Sequence, residues 1–321
     1  MKLVSFEKEG EVRVGIVQGE LVVDIHVVSG RSLPKDLLSI IDLGDEGLKR
    51  MRELGTFTVE NEGVYSLREV ALKSPIQRPV SIRDFYAFEE HVKTARKRRG
   101  LDVVPEWYDI PVFYFTNHLA VKGPLDSIEI PTGCEWLDYE LEIACVIGKK
   151  GRNISRDKAE DHIYGYVVMN DWSARDIQKH EMKVGLGPAK GKDFATSIGP
   201  YLVTKDELEV YRNGDRFDLS MTAKVNGKLL SEGNYWDIHY TFLDMIERAS
   251  KDVTLYPGEI IGSGTVGTGC ILELGPETHP WLKPGDVVEL EITGLGVLQN
   301  TIAMRREEEE HVLSSTGEHT S

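Results

Sequence analysis

Three carboxylates on two segments about thirty residues apart are the side chains with the clearest chemical potential in this chain. Glu140 and Glu142 alternate with apolar residues in Leu137-Asp138-Tyr139-Glu140-Leu141-Glu142-Ile143-Ala144-Cys145-Val146-Ile147, and Asp171 closes the run Tyr166-Val167-Val168-Met169-Asn170-Asp171. An acid placed in a core-like strand costs free energy unless its charge is compensated. A divalent cation with oxygen ligands is one such compensation. In a strand, positions two apart share a face and their Cα atoms are about 6–7 Å apart, so Glu140 and Glu142 can converge on one ion. The commoner cause of the same pattern is the wet face of an antiparallel strand. Asp171 has its own bland alternative, a turn or cap aspartate, because Ser173-Ala174-Arg175-Asp176 follows as a helix N-cap signature. Local sequence leaves both readings open.

Asp84 and His91 lie in the stretch Asp84–Arg99, which reads as a helix. Seven residues is about two turns, so the pair would share a face. Histidine is the usual general base near neutral pH, although most of the nine histidines are ordinary surface residues. Lys93, Arg96, Lys97, Arg98 and Arg99 follow. They read as a solvated helical face or as a lid that attracts an anionic substrate.

Several motifs do not carry the chemistry they suggest. Gly262-Ser263-Gly264-Thr265-Val266-Gly267 matches a dinucleotide fingerprint as text, but Cys270-Ile271-Leu272-Glu273-Leu274 reads as a strand, where a phosphate site needs a helix N-terminus. Gly191-Lys192 lacks the upstream glycine and following Ser or Thr of a P-loop, and His180-Glu181 has Val184 where a zinc protease needs its second histidine.

The surrounding chain is that of a globular protein. Its 321 residues are 40% hydrophobic and 28% charged, with a formal net charge of −15. This length predicts about two domains and burial of roughly three quarters of the unfolded surface. The negative charge argues against a nucleic-acid partner or an anionic membrane surface. Cys134, Cys145 and Cys270 match no zinc spacing and fit buried free thiols in a reducing compartment. The N-terminal residues lack a signal-like apolar stretch, and no window approaches a membrane span. A cytoplasmic protein is expected.

Residues 1–78 read as a small β-rich module. Strands are expected at Leu3–Phe6, Val12–Val17 and Leu21–Ile25, with a helix near Leu37–Leu54, and Pro75 and Pro79 bracket the boundary. Residues 79–306 are mostly β, with strands at Leu141–Ile147, Ile163–Met169, Leu219–Val225, Val287–Ile292 and Val297–Ala303. Helices are expected at Asp84–Arg99, Ser173–Met182 and Tyr240–Ser250. Strands and helices do not alternate regularly, so a β-sandwich or rolled sheet is expected rather than a doubly wound parallel sheet. The acidic, polar stretch 307–321 is expected to be a disordered tail.

Taken in order, these pieces resemble the fumarylacetoacetate hydrolase family. The resemblance rests on Asp84-Phe85-Tyr86 with His91, on the Glu140/Glu142 run, on Met169-Asn170-Asp171-Trp172-Ser173-Ala174-Arg175-Asp176-Ile177-Gln178, and on Gly191-Lys192-Asp193-Phe194-Ala195-Thr196. It continues through Pro257-Gly258-Glu259-Ile260-Ile261-Gly262-Ser263-Gly264-Thr265 and Leu272-Glu273-Leu274, and covers most of 79–306.

The resemblance implies a mainly β (α+β) fold, a mixed β-sandwich roll with a small N-terminal β-rich domain, usually dimeric. It implies one divalent cation per site, Mg²⁺, Ca²⁺ or Mn²⁺, held by Asp84, Glu140, Glu142 and Asp171. His91, oriented by Glu273, would activate a water. Arg175, Gln178 and Lys192 would stabilise the developing charge, and Tyr86, Tyr114, Thr196 and Thr265 would complete the pocket. The motifs look closest to fumarylacetoacetase, which implies cleavage of 4-fumarylacetoacetate to fumarate and acetoacetate in tyrosine and phenylalanine breakdown. The substrate-gripping arginine has no unambiguous counterpart, and Arg98 and Arg99 are both candidates. The same metal chemistry would serve another reaction of a 2-oxo acid: dehydration of a 2-keto-3-deoxy sugar acid, isomerisation, decarboxylation or acylpyruvate hydrolysis. A non-catalytic protein with a structural cation is a third reading, with no residue in its favour.

Overall fold

The computed structural model describes residues 1–304; the tail expected at 307–321 lies outside them. The architecture is mainly β with short helices, as expected. A large twelve-stranded sheet runs Val64–Ser66, Leu21–Asp24, Glu11–Gln18, Lys2–Lys8, Thr196–Thr204, Ile163–Asp171, Leu141–Ile147, Ile260–Gly262, Ile82–Phe85, Phe113–Thr116, with Ala71–Lys73 and Val121–Lys122 attached at the side. A five-stranded sheet runs Lys228–Asn234, Ser220–Val225, Val287–Ile292, Gly296–Ala303, Ser127–Glu129. The strands of the N-terminal residues therefore extend the large sheet, joined where Leu3 pairs with Leu202.

The central strand Leu141–Ile147 is buried along its whole length. Its odd positions, Leu141, Ile143, Cys145 and Ile147, pack with Met221, Ala223, Leu290 and Ile292 of the five-stranded sheet. Its even positions, Ala144 and Val146, pack with Leu37, Ile40, Ile41 and Met51 of the N-terminal helices. The alternation read from the sequence is real, but the even side is covered rather than wet. A buried sheet face raises the cost of any charge placed on it, and Glu142 sits on that face at 0% exposure.

Several expected elements are altered by tertiary pairing. The helix expected at Leu37–Leu54 is two helices, Leu37–Asp42 and Gly44–Arg52, broken where Gly44 takes φ +56°, a conformation that suits glycine. Asp84 is not helical. It belongs to the strand Ile82–Phe85, parallel to Ile260–Gly262 and antiparallel to Phe113–Thr116, and the helix begins only at Glu89. The acids and long side chains from Glu89 on suit a helix, whereas the Asp84 run gains two strand partners from distant sequence. The helix after Asp171 begins at Arg175 with Ala174 as its N-cap residue, and Ser173 pairs with Asp138 in a short ladder instead of capping. Cys270–Leu274 is not a strand: Ile271–Leu274 forms one helical turn. That turn is still no phosphate site, because the Asp138 carboxylate accepts from the backbone N–H groups of Ile271 and Leu272 at 2.8 and 3.0 Å.

Candidate active site

Strand register brings three acids onto one face. Gly262 lies opposite Asp84 on one side and Ala144 on the other. Glu142 lies opposite Met169. Asp84, Glu142 and Asp171 each stand two residues from a side chain of the same buried layer, Ile82, Ala144 and Met169, and positions two apart share a face. Each offers an oxygen within 4.8 Å of the others, and all three residues are buried. Gly262 is the floor of this group. A Cβ there would meet Asp84 Oδ1 at 2.5 Å and Glu142 Oε2 at 3.2 Å, so the strand carries glycine where the carboxylates converge.

These residues fit a hard divalent cation. Glu142 Oε1 and Oε2 and Asp171 Oδ1 are three of the six buried side-chain polar atoms with no hydrogen-bond partner among the described residues. Buried carboxylate oxygens without donors are costly unless a cation supplies the missing positive charge. An all-oxygen donor set suits magnesium, calcium or manganese. The electrostatics agree. Burial, reinforced by Asp171, pushes the Asp84 carboxyl well above its ordinary range. Burial and the Asp84 charge do the same to Glu142. Burial raises Asp171 as well, and Lys192 opposes it only in part.

Glu140 stands outside this group. Leu137–Asp138 and Leu141–Ile147 are separate strands, and Glu140 lies in the gap between them. Glu140 Oε1 accepts from Arg175 Nη2 at 2.8 Å and Oε2 accepts from Lys192 Nζ. Burial would raise the Glu140 carboxyl, but Arg175 and Lys192 outweigh it and hold it below its usual range. Lys192 also donates to Asp171 Oδ2 at 2.6 Å, where the Tyr114 hydroxyl donates at the same distance. Arg175 is fixed by Asp138 Oδ2 at 2.8 Å through Nε, and donates from Nη1 to Gln178 Oε1 at 3.2 Å. Two cations are thus aimed at the edge of the carboxylate group.

His91 and Glu273, distant in sequence, meet in the fold. His91 Nδ1 lies 2.5 Å from Glu273 Oε1, and Glu273 Oε2 accepts from the Thr268 N–H at 3.0 Å. Both residues are buried. The helix Glu89–Arg98 supplies His91, and the single turn Ile271–Leu274 supplies Glu273. Tyr86 packs edge-on to the His91 ring at 5.3 Å, and burial pushes its hydroxyl up to about 12. Arg99 Nη2 reaches the Tyr86 hydroxyl at 3.5 Å. Arg98 points elsewhere, donating to the carbonyls of Glu273 and Leu274. A cleft of about 180 Å³ opens between Tyr86, Arg96 and Trp107. Thr196 and Thr265 are buried, and the Thr196 hydroxyl lies 3.5 Å from that of Thr116.

Sequence reasoning gave no role to Asp138, Gly262 or Cys270. Asp138 had no local signal: its partners are Arg175 and two amides more than 130 residues away. Gly262 stands in the sequence within a glycine-rich string and a family-like stretch, and the steric need for glycine appears only once the carboxylates are placed. Among the described residues no helix is long and apolar enough to cross a membrane.

Residues 81–303 match the family described as Fumarylacetoacetate (FAA) hydrolase C-terminal. The chain is 30% identical over 319 residues to the oxaloacetate tautomerase YisK of Bacillus subtilis, covering 94% of this chain and 100% of that protein. It is 31% identical over 314 residues to the mitochondrial oxaloacetate tautomerase fahd2 of Xenopus laevis, covering 94% and 90%. Among solved structures, the fumarylacetoacetate hydrolase of the psychrophilic Exiguobacterium antarcticum superposes with a TM-score of 0.74 at 26% identity, over 95% of this chain and all of that one.

Proposed function

The chain belongs to the fumarylacetoacetate hydrolase family, and from that premise we propose that it is a metal-dependent enzyme that interconverts the keto and enol forms of a 2-oxo dicarboxylic acid, with oxaloacetate as the substrate of choice. The observation that carries this reading is the placement of Asp84, Glu142 and Asp171 on one buried face beside Lys192, which Glu140 links to Arg175. The two near-full-length relatives named as oxaloacetate tautomerases support the choice of substrate.

Asp84, Glu142 and Asp171 would hold the cation, with Glu140 anchoring Lys192 and Arg175 beside it. When bound, the cation supplies Lewis-acid polarisation of the 2-oxo group. His91 takes a proton from the carbon next to that carbonyl, and Glu273 holds the imidazole in register and offsets its positive charge. Returning the proton to the oxygen completes the enol, so no bond between carbons breaks and no water is consumed. Lys192 and Arg175 stabilise negative charge as it moves onto oxygen; a well-placed donor of this kind contributes roughly 3–4 kcal/mol. Gln178, Tyr86, Tyr114, Thr196 and Thr265 complete the pocket. Arg99 is the better placed of the two arginines to meet a distal carboxylate: its Nε donates to the Ala95 carbonyl but its Nη2 reaches the Tyr86 hydroxyl, whereas both Nε and Nη2 of Arg98 are held by Glu273, Leu274 and Glu277.

A second reading, hydrolysis of a β-diketo acid such as 4-fumarylacetoacetate, is favoured by the same His91–Glu273 pair, which could deprotonate water. One set of assays separates the two. Purified protein with Mg²⁺ or Mn²⁺ should speed the keto–enol conversion of oxaloacetate, and His91→Ala should lose about 10²–10⁴ of that rate. Carbon–carbon cleavage of fumarylacetoacetate without oxaloacetate tautomerisation would reverse the order of the readings. A homodimer, a cytoplasmic location, and a division at residue 78 between an N-terminal module and the catalytic domain belong to the same proposal. The family match beginning at residue 81 supports the division.

A further inference from the structure

Cys270 has no part in the chemistry above, yet it lies against the proposed base. Its Sγ is 3.6 Å from Glu273 Oε1, the oxygen that also contacts His91 Nδ1 at 2.5 Å. His91, Cys270 and Glu273 each present a donor atom within 4.8 Å of the others, and all three are buried. We propose that these residues form a second cation site, selective for thiophilic ions such as Zn²⁺ and separate from the oxygen-only group of Asp84, Glu142 and Asp171.

The donor chemistry sets the two sites apart. One nitrogen, one sulfur and one carboxylate oxygen make a donor set of the kind zinc takes in tetrahedral sites, with a fourth position left for water. Soft thiolate and imidazole donors discriminate against Mg²⁺ and Ca²⁺, which prefer carboxylates and carbonyls. The Cys270 thiol is held protonated by its burial, so only an ion with real affinity for sulfur displaces that proton, which passes to solvent as the metal–sulfur bond forms. Asp138 and Glu140 place negative charge near the sulfur, opposed by Arg175. Glu273 is already oriented, because Thr268 N–H holds its other oxygen. Binding requires the His91–Glu273 contact to open, the ion taking its place between the two side chains. An occupant would take both residues of the proposed base pair; that consequence for turnover rests on the reaction proposed above, whereas the binding itself does not.

Cobalt(II) gives a direct readout, because thiolate ligation produces a sulfur-to-metal charge-transfer absorption that oxygen ligands do not. The titration is run on the full chain carrying Cys134→Ser, to remove the half-buried thiol, with Mg²⁺ in excess to fill the carboxylate group. A saturable charge-transfer band is expected, displaced by Zn²⁺, retained in Asp84→Asn and lost in Cys270→Ser. His91→Ala, which leaves the sulfur in place, should bind Co²⁺ more weakly. The proposal is overturned by an absent band, by one that survives Cys270→Ser, or by unchanged Co²⁺ affinity in His91→Ala. Circular dichroism on each variant checks that the fold is intact. The band is read without turnover, so its failure leaves the catalytic reading standing, and an inactive protein that shows the band leaves the site standing.

Discussion

Arg98 donates from Nε to the backbone carbonyl of Glu273 at 3.2 Å. Its Nη2 donates to the Leu274 carbonyl and to Glu277, both at 3.0 Å. These carbonyls end the single turn that carries Glu273, where helix geometry leaves acceptors without partners. Arg98 sits at the end of the helix that carries His91. It therefore ties the two halves of the His91–Glu273 pair together through backbone rather than through the reacting groups.

Loosening that tie should affect turnover more than binding. Arg98→Ala is expected to lower kcat by about tenfold, short of the about 10²–10⁴ at stake when a general base is removed, with KM nearly unchanged. Arg98→Lys should recover part of the loss. Steady-state kinetics on the two variants would decide it, and a rise in KM at constant kcat would place Arg98 in substrate binding instead.

Glu140 compensates two buried cations at once. Glu140→Gln keeps the shape but leaves Arg175 and Lys192 short of a charge partner. Removing one member of a buried ionic network is expected to destabilise by about 3 kcal/mol. Denaturant unfolding should show the loss, and added Mg²⁺ should not restore it, because Glu140 stands outside the three-carboxylate group.

Cation affinity should rise with pH. Burial raises the carboxyls of Asp84, Glu142 and Asp171, so in the metal-free protein they keep protons above the ordinary carboxylate values of about 3.9–4.3. A bound ion must displace those protons. The sign for stability follows from linkage. Groups with raised folded values contribute stability below their unfolded values and lose it as pH climbs through the folded ones. Glu140, held low, works in the opposite sense: its contribution is present above its unfolded value and lost as pH falls through the folded one. Metal-free protein should thus lose the contribution of the three acids progressively as pH rises above their unfolded values of about 3.9–4.3, and Mn²⁺ should raise Tm more at the higher of two pH values chosen above that range. Thermal melts with and without chelator test this; an equal Mn²⁺ shift at both pH values would contradict it.

Gly262→Ala should separate metal binding from fold. The added methyl would approach Met169 Cε at 2.4 Å and Asp84 Oδ1 at 2.5 Å. Overpacking of this kind costs about 1–3 kcal/mol, and the shift falls on the converging oxygens. Calorimetry should find Mg²⁺ affinity reduced while circular dichroism stays native. Native affinity would show that the carboxylates can move aside.

Much of the fold was legible because local pattern and tertiary fate agree there. Leu141–Ile147, Val287–Ile292 and the N-terminal hairpins show apolar periodicity and turn residues that suit no other element. The pattern failed where a long-range partner outweighs propensity, as at Asp84, drawn into a strand by Ile260–Gly262, and at Ile271–Leu274, whose turn is capped by a carboxylate distant in sequence.

The order and identity of the acids, the lysine and the histidine are properties of the chain itself, and through the family resemblance they imply a cation-assisted reaction of an oxo acid. Which acids face one another depended on register. Asp84, Glu142 and Asp171 converge because their three strands and the strand of Gly262 align in one sheet, while Glu140, in the break before Leu141, meets Lys192 and Arg175. Side-chain period along a strand is local, but the pairing of one strand with another is a long-range choice made by the packing of both sheet faces.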